Sequence, residues 1–256
     1  MSDKVAILLA INNTNGLISF RYLLQCDTII IKALLVHPEK NAQRLREIKE
    51  IAENKGISVI TWEKKSQDKI VQAIKEQDTD ILLSVNFGYL IPERVLVLFE
   101  NALNLHTGYL PWNKGKHPNV WPLIDGSPAG VTLHIMTPKI DQGPIVYREK
   151  VPVEPDDNAK TLYHKLERTS IKVLEKALIP YLQRKITPFT PLEEGTHHTH
   201  SDFLELLHIR MDQRQTAREW INLLRALTFP PYQNAWFLEE GKKYFLSIGI
   251  QLEKEE

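Results

Sequence analysis

The chain has 256 residues, with 32 basic and 32 acidic side chains and a formal net charge of zero. A hydrophobic content of 43% and a charged content of 25% are those of a globular protein, long enough for one ordinary domain plus a small appendage. Balanced charge argues against nucleic acid as the partner, and the single cysteine, Cys26, excludes an intrachain disulfide and suits a reducing compartment, where it reads as a small buried apolar residue rather than a nucleophile.

The run Val5–Ile11 is apolar throughout, as a strand buried on both faces of a parallel sheet would be. It is too short to cross a membrane and no small-residue cleavage site follows, so the expected location is cytoplasmic, without a membrane partner. Residues 16–24 predict a helix and 28–36 a second, isoleucine-rich strand. Residues 41–55 read as an amphipathic helix with Leu45, Ile48, Ile51 and Ala52 on one face; Glu47 to Glu53 supply a solvated face, and Gly56 stands at the C-terminal cap. A third strand is predicted at 57–61, a helix with Ile70, Ala73 and Ile74 inward at 68–76, and a fourth buried strand at Ile81–Val85. Four alternations of strand and helix predict an α/β fold with a Rossmann-like, mostly parallel sheet flanked by helices. The first strand is not followed by Gly-x-Gly-x-x-Gly, and no Gly-x-x-x-x-Gly-Lys occurs, which argues against a nicotinamide enzyme and a nucleotide triphosphatase.

Residues 102–106 form another alternating strand, followed by Gly108-Tyr109-Leu110-Pro111. Val131, Leu133 and Ile135 alternate with Thr132, His134 and Met136; a turn-forming loop covers 137–143, and 145–151 predict a further strand. Asp157 is expected to cap a helix carrying Leu162, Leu166, Leu174, Leu178 and Leu182, which Pro180 should bend or end. Residues 188–191 resemble a linker, separating a catalytic domain at 1–187 from a small helix-plus-hairpin subdomain at 188–256. In the latter, residues 219–227 predict a short helix, and residues 236–238 and 244–252 flank Glu239-Glu240-Gly241-Lys242-Lys243, a β-hairpin signature. The second arm alternates through Tyr244, Leu246, Ile248, Ile250 and Leu252. A two-stranded hairpin is unstable alone, so it packs on its own domain or, as expected here, on a second copy in a homodimer.

Asn104 and His106 lie on one face of a strand, and Asp141 follows in the loop. An amide, an imidazole and a carboxylate are the groups needed to move an acyl unit onto an amine: one donates to an oxyanion, one exchanges a proton, one orients or relays. An Asn and a His near a strand end are more often structural, and the flanks decide the matter. Asn104-Leu105-His106 leads into Leu110-Pro111, Lys114-Gly115, Gly130-Val131-Thr132-Leu133-His134 and Ile140-Asp141-Gln142-Gly143. This succession, over roughly residues 80–185, resembles the 10-formyltetrahydrofolate-dependent formyltransferases.

The resemblance implies a catalytic Asn104, His106 and Asp141, with His106 acting either as base or as charge stabiliser, and with Thr132 and His134 bracing Asp141 or simply satisfied in the core. It also implies a folate-binding segment at Ser84 to Pro92, in which Phe87, Gly88, Tyr89, Leu90 and Ile91 would form an apolar slot, with edge contacts from Thr137 and Lys139. By itself that stretch equally reads as a strand end and helix start. The stretches His117 to Gly126 and Leu224 to Ala235 resemble the nucleotide-sugar members, which formylate amino-dideoxyhexoses carried on dTDP. Phe203 and Tyr232 are the candidates to stack on thymine, or else core aromatics, and Lys114 and His200 the candidates for phosphate contact. His197-His198-x-His200 lacks a cysteine or acidic partner at ligand spacing apart from Asp202, so no metal is expected. The expected reaction is formylation of a dTDP-4-amino-6-deoxyhexose for surface polysaccharide; a 3-amino sugar, methionyl-tRNA and a non-enzymatic binding role are the alternatives.

Overall fold

The computed structural model describes residues 4–63 and 66–253. In chain order the elements are β1 Val5–Ile11, α1 Asn13–Leu23, β2 Ile29–Val36, α2 Leu45–Asn54, β3 Ser58–Thr61, α3 Gln67–Lys75, β4 Ile81–Val85, α4 Glu93–Leu96 and β5 Asn101–His106. Then follow β6 Lys114–Gly115, α5 Trp121–Asp125, β7 Gly130–Ile135, β8 Ile145–Lys150, α6 Ala159–Leu182, β9 His197–His198 and α7 His200–Leu206. The remainder is α8 Ala217–Leu227, β10 Thr228–Phe229, β11 Tyr232–Gln233, β12 Ala235–Glu239 and β13 Lys242–Leu246. The chain divides into two compact units, one built from Met1–His106, Thr132–Tyr147 and Ser170–Pro191, the other from Thr107–Val131, Arg148–Thr169 and Leu192–Glu256.

The central sheet has the order β3-β2-β1-β4-β5-β7-β8, so the α/β architecture read from the sequence is the one observed. The pairs from β3 through β5 are parallel, whereas β7 runs antiparallel to β5. The chain moves outward from β1 to β3, then returns to place β4 on the other side of β1. Carboxyl ends of strands at such a reversal form the crevice where open sheets take ligands. Apolar β1 and β4 have almost no solvent exposure from Ile7 to Ile11 and Ile81 to Val85, because helices cover both faces.

Several boundaries shift for local reasons. α1 begins at Asn13 rather than 16: Asn13 Oδ1 accepts from the backbone N–H of Asn15 (3.0 Å) and Gly16 (3.3 Å), occupying donors at the helix start. α2 begins at Leu45, since Arg44 is left-handed (φ 60) and a 3-10 turn occupies Glu39–Asn41. Gly56 ends α2 as expected, with φ 63 and the paired bonds Ile57 N–H to Ala52 (2.9 Å) and Gly56 N–H to Glu53 (3.1 Å). Asn158, not Asp157, caps α6: its Oδ1 accepts from Lys160 and Thr161 N–H, each at 3.0 Å. Asp157 instead receives Lys165 Nζ at 2.6 Å, Thr161 Oγ1 at 2.9 Å and Glu154 N–H at 2.7 Å. Burial pushes its carboxyl up, but these donors together hold it below the usual range.

Pro180 lies inside α6, which ends two residues later at Leu182. The segment around 188–191 is no open linker, because Phe189 exchanges both backbone bonds with Ile145, at 2.7 and 2.9 Å. β13 stops at Leu246, so the alternation through Ile248, Ile250 and Leu252 is not strand; Ile248 N–H binds Thr228 Oγ1 (3.0 Å), which pulls the chain away from the hairpin. β12 is also tied to its own unit, where Trp236 bonds to Leu207 and Ile209 and its ring stacks on His208 at 4.0 Å. Cys26 is half-buried rather than a core residue; burial pushes its thiol up, and Sγ–H points to the Tyr22 carbonyl (3.6 Å).

Candidate active site

The antiparallel register of β5 and β7 sets Asn104 opposite His134 and His106 opposite Thr132. Residues two apart on a strand share a face, and directly paired residues share it across strands. Four polar side chains therefore meet on one face. The loop after β7 returns over this face: Met136 N–H still binds Ala102 O (2.7 Å), then the chain reverses and Asp141, left-handed at φ 51, drops its carboxylate onto the group. Asp141 Oδ1 lies 3.4 Å from Asn104 Nδ2 and 3.4 Å from His134 Nε2, and Oδ2 lies 3.6 Å from His106 Nδ1. Side-chain exposures of 8% for His106, 3% for His134 and 10% for Asp141 make this a largely desolvated cluster, where hydrogen bonds are electrostatically strong.

Hydrogen-bond direction follows from the fixed partners. His134 Nδ1 sits 3.0 Å from the Ile135 carbonyl, an acceptor only, so Nδ1 carries a proton. In the neutral ring Nε2 then accepts, and Asn104 Nδ2, 3.1 Å away, donates to it. This sets the Asn104 amide with its NH2 towards His134 and Asp141. Thr132, paired with His106 on this same face, is fully buried.

The segment after β4 behaves differently from residue to residue. Phe87 and Ile91 are buried in a core cluster with Trp62, Leu82 and Val95, while Leu90 is 60% exposed. Gly88 N–H donates to His37 Nε2 at 3.1 Å, and the Tyr89 hydroxyl accepts from Asn41 Nδ2 at 2.7 Å. In the loop carrying Asp141, Thr137 Oγ1 donates to the Lys139 carbonyl (3.1 Å), and neighbouring Ile140 is 47% exposed.

The second unit holds the other candidates. Lys114 Nζ donates to the Glu194 carbonyl at 2.7 Å. Phe203 is buried, and one face of its ring is covered by His117 at 4.0 Å and 19°. His117 Nε2 meets His200 Nδ1 at 2.9 Å, with the rings stacked at 5.2 Å. Burial first, then the neighbouring His200 and Lys116, push His117 down to about 4. His198 stacks on Trp121 at 3.9 Å and is also pushed down, chiefly by burial. Tyr232 is 60% exposed in β11 and lies 5.7 Å from Phe229. His117 was no candidate in the sequence, where its sole signal was its place in the stretch leading to Trp121. No cluster of three or more metal-ligating side chains occurs among the described residues.

Residues 30–178 match the formyl transferase family, and residues 202–252 match the N-formyltransferase dimerization C-terminal domain. A Mycobacterium tuberculosis protein named dTDP-4-amino-4,6-dideoxyglucose formyltransferase is 30% identical over 176 residues, covering 68% of this chain and 75% of its own. A methionyl-tRNA formyltransferase of Caldanaerobacter subterraneus is 28% identical over 220 residues, covering 83% of this chain and 70% of its own. The crystal structure of a 4-N formyltransferase from Francisella tularensis superimposes with a TM-score of 0.83 at 25% identity, covering 97% of this chain and 98% of its own. With the family match spanning more than half of the sequence, the chain belongs to the formyl transferase family, as an enzyme of its sugar N-formyltransferase group.

Proposed function

We propose that the enzyme transfers the formyl group of 10-formyltetrahydrofolate to the amine of a dTDP-linked amino-dideoxyhexose. The 4-amino sugar, dTDP-4-amino-4,6-dideoxyglucose, is the preferred acceptor, in a cytoplasmic pathway that feeds surface polysaccharide such as O-antigen. The observation that carries the chemistry is the meeting of Asn104, His106 and Asp141 on one buried face. The acceptor class rests on the M. tuberculosis likeness and on the balanced charge, which disfavours tRNA; the 4-position of the amine rests on that relative and on the F. tularensis 4-N formyltransferase.

The neutral amine attacks the formyl carbon, placing negative charge on its oxygen. Asn104 Nδ2 donates to that oxygen, at the cost of the long 3.4 Å contact to Asp141 while the bond to His134 holds the amide in place. Asp141 faces His106 on the Nδ1 side, so Nε2 is the nitrogen that exchanges a proton with the substrate. His106 takes the proton lost by the attacking amine. The bond from carbon to the folate nitrogen breaks, and that nitrogen leaves with a proton relayed by Asp141 or His106. His134 positions both Asn104 and Asp141, with Thr132 beside His106 on the same face.

For the donor, the exposed Leu90 offers apolar surface to a pterin, over the buried anchors Phe87 and Ile91, with Gly88, Tyr89, Thr137 and Lys139 as edge contacts. For the nucleotide, exposed Tyr232 remains the stacking candidate, whereas Phe203 acts through the His117 ring that covers it. His200 and Lys114 are assigned to phosphate contacts. Residues 1–187 are taken as the catalytic domain, and residues 188–256 as a subdomain for nucleotide contact and homodimerisation.

The test is a formylation assay with purified protein, 10-formyltetrahydrofolate, the 4-amino and 3-amino dTDP-sugars and methionyl-tRNA in parallel. The expected result is a formamido sugar from the 4-amino compound, identified by mass. Turnover of the 3-amino sugar alone moves the acceptor amine; turnover of tRNA alone defeats the sugar reading.

A further inference from the structure

The turn that follows β4 is held from two sides by buried side chains, Asn15 in the first turn of α1 and His37 just after β2. Asn86 is left-handed (φ 52), a conformation asparagine tolerates, and it turns the chain out of the strand. Its Oδ1 accepts from Asn15 Nδ2 at 2.8 Å, and the same amide group donates to Ser170 Oγ at 3.2 Å. Asn15 and Ser170 have no solvent exposure. Two residues further on, Gly88 N–H donates to His37 Nε2 at 3.1 Å.

His37 is itself fixed. It is 6% exposed, and its Nδ1 lies 3.2 Å from the Asn41 carbonyl, which only accepts. Nδ1 therefore carries the proton and Nε2 the lone pair that Gly88 requires. The ring packs edge-on against Phe87 at 5.0 Å and lies tilted against Tyr89 at 4.4 Å, while Asn41 Nδ2 donates to the Tyr89 hydroxyl. Each residue from Asn86 to Tyr89 is thus held by Asn15 or by the His37–Asn41 pair. A loop ordered before its ligand arrives spends less binding energy on ordering.

We infer that Asn15 and His37 are positioning residues that hold the Asn86–Tyr89 turn in the form that receives the folate donor; this rests on the folate reading given above. The two act through backbone and side-chain hydrogen bonds rather than on the reacting atoms. Loss of either should weaken donor binding without changing the chemical step or the acceptor.

The experiment titrates full-length wild type and His37→Phe, His37→Gln and Asn15→Leu variants with 5-formyltetrahydrofolate by calorimetry, alongside steady-state kinetics. Phe keeps the ring and loses the acceptor, whereas the Gln amide oxygen reaches where Nε2 stood. His37→Phe and Asn15→Leu should raise Kd and the donor KM roughly five- to tenfold, the worth of one hydrogen bond, with kcat at saturating donor and acceptor KM near wild type. His37→Gln should recover most of the affinity. Wild-type affinity in His37→Phe overturns the inference and leaves the folate reading standing. Equal loss of donor and acceptor binding in both His37 variants makes the role general scaffolding and also overturns it. If wild type does not bind the folate, the folate reading falls and the inference with it.

Discussion

Asn104 is placed between two acceptors, His134 Nε2 at 3.1 Å and Asp141 Oδ1 at 3.4 Å, and this geometry makes its amide a preset donor. On the proposed mechanism, Asn104→Ala removes the donor aimed at the oxyanion, and His106→Ala removes the proton acceptor. Each should lower kcat by about a hundredfold or more, a loss of roughly 3 kcal/mol of barrier stabilisation, with little change in the melting temperature. Turnover within a few-fold of wild type in either variant would remove that residue from the mechanism. His117 yields a pH prediction of a different kind. Its pKa of about 4 lies below the ordinary 6.5, so between those values the unfolded chain binds the proton that the folded chain refuses. Stability is therefore full above pH 6.5 and falls as the pH drops towards 4. Thermal unfolding across that window should show this fall, and His117→Asn, which accepts the left-handed backbone at φ 56, should flatten it.

At the scale of elements, the site depends on how the β7–β8 connection folds back. Gly143 lies against the Ile135 carbonyl, where a Cβ would collide with backbone rather than with a movable side chain. Gly143→Ala should force the loop that carries Asp141 out of place, cost about 1–3 kcal/mol of stability and abolish most activity. Gly249→Ala, with no neighbour within 4 Å, is the matched control and should behave as wild type in both melting and turnover. The strands themselves were readable because apolar runs such as Val5–Ile11 and Ile81–Val85 have one stable use, burial on both faces of a parallel sheet. Helix starts were not, since they hang on single residues: the Asn13 side chain for α1, the left-handed backbone of Arg44 for α2, and the Asn158 side chain in place of Asp157 for α6. Neighbouring Asn and Asp are both good caps, and only the path of the chain selects between them.

At the scale of the whole molecule, the hairpin β12–β13 is bound to its own unit along Trp236 yet leaves Leu238, Tyr244 and Phe245 about half exposed, at 49%, 45% and 45%. Together with the dimerization-domain match over residues 202–252, this supports a homodimer through the hairpin. Sedimentation at micromolar concentration should give a dimer, and Tyr244→Glu combined with Phe245→Glu should give a monomer. A monomeric wild type refutes this assembly. The family and the reaction were legible in the order of short motifs from Asn104 to Gly143, through their resemblance to the formyltransferases; an amide, an imidazole and a carboxylate alone suit acyl transfer without requiring it. The sequence alone also determined the sheet class, through hydrophobic periodicity, which is a local property. Only the tertiary structure decided that β7 runs antiparallel, setting His134 against Asn104, and that Asp141 returns to the same face. It alone brought Asn15 and His37 to Asn86 and Gly88, and His117 onto Phe203. Such pairings join residues far apart in the chain, and they follow from strand register and loop path, which no local pattern encodes.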